Sequence, residues 1–220
     1  SLSTYLKDSE FKAYLGLLLS VVIVSGLLLM TNSSESFEEV SFSQMFFQVV
    51  SIGTTTGYTS SGYGMWPVII PFLLLLLSFV GGSVGSTGGG LKVARCLILF
   101  KQGLREAKRL VHPSAEIVVK INQKGVDQRI LDSVWGFMSA YIGILVVFTL
   151  IMLACGLSEL TAFSAVAASL NNLGPGLGDV FVNYADLGSL PKWVCIFAMV
   201  LGRLEIFALL VLFTPTFWQD

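Results

Sequence analysis

The fold of this chain is best read from Thr54-Thr55-Thr56-Gly57-Tyr58-Thr59, a loop between a short apolar segment and a longer hydrophobic run. A Thr-rich loop with a Gly between membrane segments is typical of a cation selectivity filter, where successive backbone carbonyls replace the water shell of an ion. Gly supplies the unusual backbone angles that such a row of carbonyls needs. The pattern predicts an ion-binding filter formed by Thr54, Thr55, Thr56, Gly57 and Tyr58.

The composition indicates that the bilayer is the main solvent of this protein. Hydrophobic residues make up 54% of the 220 residues and charged residues only 12%, with a mean hydropathy of +0.80. Soluble domains carry about 25% charged residues. Helices satisfy their own backbone groups in lipid, so we expect an all-α membrane protein.

The charges are distributed unevenly, although the net charge is only −1. Nine of the 13 Lys and Arg residues lie between Lys92 and Arg129. By the positive-inside rule this region is cytoplasmic, and Lys7 and Lys12 place the N-terminus inside as well. The acidic residues of the other loops then mark the external side: Glu35, Glu38, Glu39, Glu159, Asp179 and Asp186.

The lengths of the apolar segments predict which of them cross the membrane. Residues 13–31, 134–155 and 192–213 are long enough to cross roughly 30 Å of hydrocarbon as helices. Residues 41–51 and 160–170 are apolar but too short to span, and we interpret them as re-entrant helices.

The region 68–100 predicts a helix that is broken inside the membrane. Apolar residues 68–80 and 93–100 flank a run with six Gly in ten positions, 81–90, through which a helix cannot run well. Irregular backbone at membrane depth is tolerated only beside protein or a water-filled pathway. Residues 101–111 follow with basic faces and one apolar side, which predicts a helix along the inner membrane surface.

The chain contains an internal repeat of spanning helix, short helix, Gly-containing loop and second spanning segment. Residues 45–58 align without a gap on 162–175, with Phe46 on Phe163 and Gly57 on Gly174. The alignment predicts a second filter loop at Asn171, Asn172, Leu173 and Gly174. We therefore divide the chain into residues 1–112, a pore repeat with the start of the basic linker, and residues 113–220, the end of that linker and a second pore repeat.

The Gly-rich segment permits other interpretations. It lacks the Lys-Ser/Thr ending of a phosphate-binding P-loop, because Gly90 is followed by Leu91 and Lys92. Gly81-Gly82-Ser83-Val84-Gly85 matches the Gly-x-Ser-x-Gly nucleophile pattern. The one His of the chain, His112, lies in the basic linker, far from membrane depth. A barrier in an ion path, an intramembrane serine hydrolase using Ser83, and a non-conducting scaffold subunit all remain alternatives.

Arg203 and Glu205 are charged residues within the last apolar segment. Such charges are costly in lipid and usually face the protein interior with a partner. They either satisfy each other or nearby carbonyls, or Arg203 caps carbonyls of the Gly-rich loop and holds it across the pore. Cys96, Cys155 and Cys195 show no metal-binding or disulfide spacing.

Together these residues resemble the Trk/Ktr/HKT superfamily of potassium uptake proteins, and most closely its TrkH type. The resemblance covers nearly the whole chain, including the closing Thr214-Pro215-Thr216-Phe217-Trp218. The other segments that carry it are Thr54-Thr55-Thr56-Gly57-Tyr58, Gly85-Ser86-Thr87-Gly88-Gly89-Gly90-Leu91-Lys92, Leu170-Asn171-Asn172-Leu173-Gly174-Pro175-Gly176 and Gly202-Arg203-Leu204-Glu205-Ile206-Phe207.

The resemblance implies a potassium path surrounded by four pore repeats, with potassium as the substrate and no covalent cofactor. The expected potassium ligands are Thr55, Thr56, Asn172 and Leu173. An intramembrane gating loop is expected at residues 81–92, and the family's arginine that contacts it corresponds to Arg203. The gate residues implied are Gly85, Ser86, Thr87, Gly88, Gly89, Gly90, Lys92 and Arg203.

The resemblance also implies partners and a location. A cytoplasmic ring of nucleotide-binding, TrkA-like regulatory subunits is expected against the inner face, together with membrane lipid and no nucleic acid. The protein is expected to be a multi-pass protein of the bacterial cytoplasmic (inner) membrane, with both termini cytoplasmic. The pattern does not distinguish a passive channel from an ion-coupled symport.

This sequence departs from the family pattern in having two repeats, which look like the third and fourth. Four pore loops are needed to close a fourfold pore. We therefore expect either a C-terminal half whose first-half repeats are missing, which the absence of an initiator Met favours, or two copies that pair. Complete subunits are expected to form homodimers. The second loop is poorer in Thr, so strong discrimination against sodium is open.

Overall fold

A computed structural model describes residues 8–31, 41–86, 88–113, 115, 117–122 and 124–204. Within these residues the chain forms seven α-helices and one short hairpin of strands β1 and β2. The helices are α1 Ser9–Thr31, α2 Phe42–Gly53, α3 Ile69–Val80, α4 Val93–Val111, α5 Gln128–Ala154, α6 Glu159–Leu170 and α7 Ser189–Arg203. The strands are β1 Lys120–Ile121 and β2 Lys124–Gly125, paired antiparallel.

Two of the predicted spans lie in helices of sufficient length and apolar composition. Helices α1 and α5 have 23 and 27 residues, and both are long and apolar enough to cross a membrane. The third predicted span, 192–213, is helical within α7 as far as Arg203. Its remainder, including Glu205 and the closing 214–218, lies outside the described residues.

The predicted repeat is present in three dimensions. Helices α2 and α6 both have 12 residues and both follow a serine, Ser41 or Ser158. The Ser158 side chain accepts a hydrogen bond from the Thr161 amide, and Gln44 accepts one from the Ser41 amide. Such side-chain caps satisfy backbone donors that the first turn of a helix leaves without a partner. Both short helices therefore begin at equivalent, capped positions.

The second helix of the first repeat is broken, as the sequence predicts. Helix α3 ends at Val80, the Gly-rich loop (residues 81–92) follows, and α4 begins at Val93. One feature was not predicted. The apolar residues 93–100 and the basic residues 101–111 form one continuous helix of 19 residues. Leu104, on its apolar side, is exposed by 48%, whereas Gln102 is buried.

Helix α6 lies at the centre of the protein and packs against α3, α5 and α7. Its buried face is made of small side chains, which allow helix backbones to approach closely in membrane proteins. Phe163 of α6 stacks against both Phe72 and Phe79 of α3, with ring centroids 6.2 and 6.3 Å apart. This aromatic contact joins the two repeats. The small residues of α6 that are fully buried include Ala162, Ser164, Ala165, Ala167 and Ala168.

The basic linker is attached to the start of α1. The Asn122 amide group donates to the Asp8 carboxylate at 2.9 Å, and the Ser9 amide donates to the Asn122 side-chain oxygen at 2.8 Å. The hydrogen bond from Asn122 lowers the pKa of Asp8 below its ordinary value. The hairpin between α4 and α5 is thus held beside the N-terminal end of the first spanning helix.

We predict that Ala168→Leu destabilises the protein by about 1–3 kcal/mol, because Ala168 is fully buried and the packed centre has no room for a larger side chain. The measurement is thermal unfolding of the detergent-solubilised chain. Ala107→Leu is the matched control, since Ala107 is an exposed residue of α4. Equal melting temperatures for the two variants would contradict the packing of α6 described above.

Candidate pore loops and the Gly-rich loop

The two pore loops have the same backbone conformation. The first (residues 54–58) and the second (residues 171–174) each begin at the cap of a short helix, with φ and ψ of −85° and 2° at Thr54 and −82° and −4° at Asn171. The next residues, Thr55 and Asn172, have φ values of 54° and 51°. Left-handed backbone at non-Gly residues is costly and is concentrated at functional sites. Its recurrence at equivalent positions indicates that both loops are candidate functional sites.

The hydrogen bonds of the two loops are also equivalent. The amides of Thr54 and Asn171 donate to the helix carbonyls of Val50 and Ala167, both at 2.9 Å. Two residues later, the Thr56 amide donates back to Ser51 at 2.8 Å. Leu173 does the same to Ala168 at 2.9 Å. Both loops therefore turn their N–H groups into the protein.

The carbonyl groups at the far end of each loop are bound by side chains. The Ser51 hydroxyl donates to the Tyr58 carbonyl at 2.6 Å, and the Tyr184 hydroxyl donates to the Gly174 carbonyl at 2.9 Å. Within the described part of the chain, no hydrogen bond reaches the carbonyls of the residues between. These residues include Thr55, Thr56, Asn172 and Leu173, the four predicted potassium ligands.

The two pore loops lie side by side. A Cβ atom on Gly57 would lie 2.0 Å from the carbonyl oxygen of Leu173, closer than any real side chain could approach. Gly57 also has a φ of 79°, which side chains rarely adopt. The glycine that the sequence marks in the first loop is thus required both by its own conformation and by contact with the second loop.

The side chains of the loops have different surroundings. The Asn171 side chain is fully buried and points into the protein, where it bonds to Tyr141 and Ser78. The Asn172 amide group donates to the Met199 carbonyl of α7 at 3.3 Å. Tyr58 is exposed by 71%. Among the predicted filter residues, Asn171 thus has a side chain that stabilises the surrounding structure.

The Gly-rich loop lies against the base of both pore loops. A Cβ on Gly88 would be 2.7 Å from the Thr55 hydroxyl, and a Cβ on Gly89 would be 2.0 Å from the Asn171 carbonyl. Glycine is needed at position 89 because the two backbones approach so closely. The structure therefore brings the predicted gate residues Gly88 and Gly89 together with the predicted filter residues Thr55 and Asn171.

Two charged side chains hold the Gly-rich loop in place. Lys92 donates to the Ser86 carbonyl at 2.7 Å, to the Ser86 hydroxyl at 3.2 Å and to the Gly88 carbonyl. The exposed Val84 amide donates to the carboxylate of Glu10, in the first turn of α1, at 2.7 Å. Sequence reasoning missed Glu10, because an acidic residue in a first helical turn is common and signals no long-range contact.

Lys92 binds the Ser86 and Gly88 carbonyls of the Gly-rich loop. Arg203 lies nearby, lining a cavity of about 250 Å³ that Lys92, Arg95, Ser86 and Gly88 also line. Arg95 lies over the Phe137 ring at 4.3 Å from its centroid. Capping by Arg203 stays a prediction. Thr87, another predicted gate residue, lies outside the described residues, and Gly85 is in the exposed part of the loop.

The histidine that the hydrolase alternative would need as a base lies far from Ser83. Ser83 lies in the Gly-rich loop before α4, whereas His112 caps the other end of that helix. Nineteen residues of α-helix extend about 28 Å, far beyond hydrogen-bonding distance. Ser83 and His112 therefore cannot act together.

Two pore-loop repeats with a Gly-rich loop beneath them define an all-α membrane protein with potassium-channel-type architecture. The family model described as "TrkH: Cation transport protein" matches residues 10–220. The chain belongs to this family. Because the family is one of transport proteins, the hydrolase alternative is rejected.

About half of the aligned residues are identical between the chain and its named relatives. It is 51% identical to a Trk system potassium uptake protein TrkH of Vibrio parahaemolyticus, over 98% of this chain and 44% of the relative. It is 48% identical to TrkH of Escherichia coli K12, over 100% of this chain and 46% of the relative. The crystal structure of the potassium transporter TrkH from Vibrio parahaemolyticus superposes with a TM-score of 0.88 and 50% identity, over 98% of this chain and 46% of that chain. The chain spans a little under half the length of these relatives.

We predict that Glu10→Ala releases the tip of the Gly-rich loop. Hydrogen–deuterium exchange of the Val84 amide is expected to become several-fold faster, because that amide loses a charge-assisted bond. The measurement is exchange mass spectrometry of peptides across 81–92. Glu159→Ala, which removes the first-turn acid of α6, is the matched control. Unchanged exchange in Glu10→Ala would show that this bond does not hold the loop.

Proposed function

We propose that this chain forms the third and fourth repeats of a potassium-conducting pathway, with Thr55, Thr56, Asn172 and Leu173 supplying the ion's carbonyl ligands. The observation that carries the proposal is the pair of equivalent pore loops, whose N–H groups turn inward while these carbonyls accept no hydrogen bond within the described residues. Backbone carbonyls in this arrangement replace the hydration shell of a cation.

The two short helices favour a cation electrostatically. Helices α2 and α6 both end on a pore loop, so their C-terminal, partially negative ends lie at the proposed ion site. Potassium is proposed as the ion because the relatives are named Trk system potassium uptake proteins. Potassium is then the substrate, and the chemistry asks for no further group.

The Gly-rich loop is proposed to be the gate of this pathway. It lies under both pore loops, and Lys92 and Glu10 hold it there. Lys92, Arg95 and Arg203 place positive charge around the cavity beside it. That charge opposes a passing cation, so the closed loop is an electrostatic barrier as well as a steric one.

Two further pore loops are proposed to complete the ring. Phe163 of α6 stacks on α3 of the neighbouring repeat, but its equivalent in α2, Phe46, is exposed by 45% and contacts Phe42. A second helix from a preceding repeat would cover Phe46 as α3 covers Phe163. First-half repeats fit this position better than a second copy, because relatives are about twice as long as this chain.

The surroundings of the complete protein are proposed from the family resemblance and the charge pattern. The basic charge of α4 and the linker supports a cytoplasmic position for that side of a bacterial inner membrane, and both termini are proposed to be cytoplasmic. A nucleotide-binding regulatory ring is proposed to contact this face. Complete subunits are proposed to pair as homodimers.

The decisive test is rubidium tracer uptake into liposomes that hold the chain, alone and together with the two preceding repeats. We expect uptake that potassium inhibits more strongly than sodium once the ring is complete. Gly57→Ala should abolish that uptake in folded protein, since its Cβ would meet the Leu173 carbonyl.

Gly103→Ala is the matched control, because a Cβ at that position meets nothing within 4 Å. It should transport like the unmodified protein. Uptake by Gly57→Ala at the control level would reject the filter assignment. Absence of uptake from well-folded, complete assemblies would favour the scaffold alternative.

We also predict that Phe46→Ala weakens assembly with the preceding repeats several-fold. The change removes the ring equivalent to Phe163, which stacks on α3 inside the chain. The measurement is retention of those repeats on an affinity-tagged chain in detergent. Phe100→Ala, on the exposed side of α4, is the control. Equal retention of both variants would show that Phe46 does not face a neighbouring repeat.

A further inference from the structure

Three buried side chains from different elements meet behind the second pore loop. The Tyr141 hydroxyl of α5 donates to the Asn171 side-chain oxygen. The Asn171 amide group donates to the Ser78 hydroxyl of α3 at 2.9 Å, and Ser78 donates to the Leu75 carbonyl at 2.6 Å. Asn171 and Ser78 are fully buried, and Tyr141 is nearly so. A buried polar chain of this kind fixes its members, because each bond lost leaves an unsatisfied group.

Asn171 also contacts the Gly-rich loop through its backbone. Its carbonyl lies against Gly89, where a Cβ would be 2.0 Å away. One residue thus bonds to α3 and α5 through its side chain and touches the proposed gate through its main chain. Any movement of Gly89 away from the pore loop changes the surroundings of Asn171.

Ser78 lies where the Gly-rich loop leaves and rejoins α3. The helix ends two residues later, at Val80. On the return side, the Leu91 amide donates to the Phe79 carbonyl at 2.8 Å, and Gly90 lies against the carbonyls of Ser78 and Phe79. The bond from Asn171 to Ser78 therefore ties the second pore loop to the turn of helix that anchors both ends of the Gly-rich loop.

The first repeat does not contain the same connection. Thr54, the equivalent of Asn171, bonds through its hydroxyl to Val50 of its own helix at 2.8 Å and to Thr56 at 2.8 Å. Tyr14 of α1 donates to the Gly53 carbonyl at 3.0 Å, a main-chain atom of that same helix end. Among the residues that the structure describes, only the second pore loop is bonded through a side chain to the helix that carries the Gly-rich loop.

We propose that Tyr141, Asn171 and Ser78 are positioning residues that couple the second pore loop to the Gly-rich loop. The closed position of the proposed gate and the ion preference of the filter then depend on the same bonds. This inference rests on the proposed function for its transport consequences, but the coupling itself is a property of the folded chain.

The transport experiment compares Tyr141→Phe, Ser78→Ala and the double variant in the completed assembly. Each single change should raise rubidium flux about threefold to tenfold. It should lower the ratio of inhibition by potassium to inhibition by sodium by a similar factor. This is the effect of losing one buried hydrogen bond. The double variant should resemble the stronger single one, because both act through Asn171. Ser78→Thr, which keeps the hydroxyl, should restore both quantities.

Thr149→Val is the matched control, since it removes a hydroxyl from α5 that bonds only to that helix. Independent, additive effects of Tyr141→Phe and Ser78→Ala would overturn the coupling. A change in flux with an unchanged potassium-to-sodium ratio would also overturn it, because the bonds would then act on the gate alone.

A second measurement needs no transport. Hydrogen–deuterium exchange of the chain in detergent should become faster at residues 88–91 as well as at 171–174 in Tyr141→Phe, although the hydroxyl that this change removes bonds to Asn171, in the latter segment. Faster exchange confined to 171–174 would overturn the coupling even if the protein conducts. If the completed assembly passes no rubidium but exchange rises in both segments, the proposed function fails and the coupling stands.

Discussion

The carbonyl ends of two short helices lie inside the protein, and the rest of the structure depends on how they are accommodated. Helices α2 and α6 stop after 12 residues, and the last carbonyls of any helix lack partners within it. Irregular backbone at membrane depth persists only beside protein or water. The buried face of α6 and the inward-turned amides of Thr56 and Leu173 surround these ends with protein. The carbonyls of Thr55, Thr56, Asn172 and Leu173 accept no hydrogen bond within the described residues, which leaves them available to a ligand.

The elements that lipid dictates could be predicted from the sequence. Apolar length separates spanning from re-entrant helices, so the predicted residues 41–51 and 160–170 correspond closely to α2 and α6. The Gly-rich break was predictable because Gly opposes helix formation. The continuity of α4 was not, since the change from apolar to basic residues at Lys101 alters the environment of a helix without ending it. The pattern of charged and apolar residues indicates the surroundings of a helix, but it does not indicate where that helix ends.

Only part of the site follows from local sequence. The pore loops can be recognised from Gly57 and Gly174, which lie between apolar segments. Tyr141 and Ser78 have no such signal, because a Tyr or Ser in an apolar helix is common and its partner lies far along the chain. The sequence marks Arg203 as a charge in an apolar segment, but nothing local to Lys92, at the edge of the basic region, indicates its bonds to the loop. A single sequence does not reveal hydrogen bonds between common residue types that lie far apart along the chain.

The two repeats share a backbone but differ in what lies behind it, and the Gly-rich loop explains why. Helix α3 stops at Val80 and gives way to that loop, whereas α7 continues to Gly202, which lies against the Leu170 carbonyl. Asn171 of the neighbouring repeat connects the second pore loop to this region, because its side chain bonds to Ser78 and its carbonyl lies against Gly89. Thr54, at the equivalent position of the first repeat, bonds instead to its own helix. An insertion in one repeat is thus matched by a polar side chain in the next, so the second pore loop and the Gly-rich loop are parts of one structure.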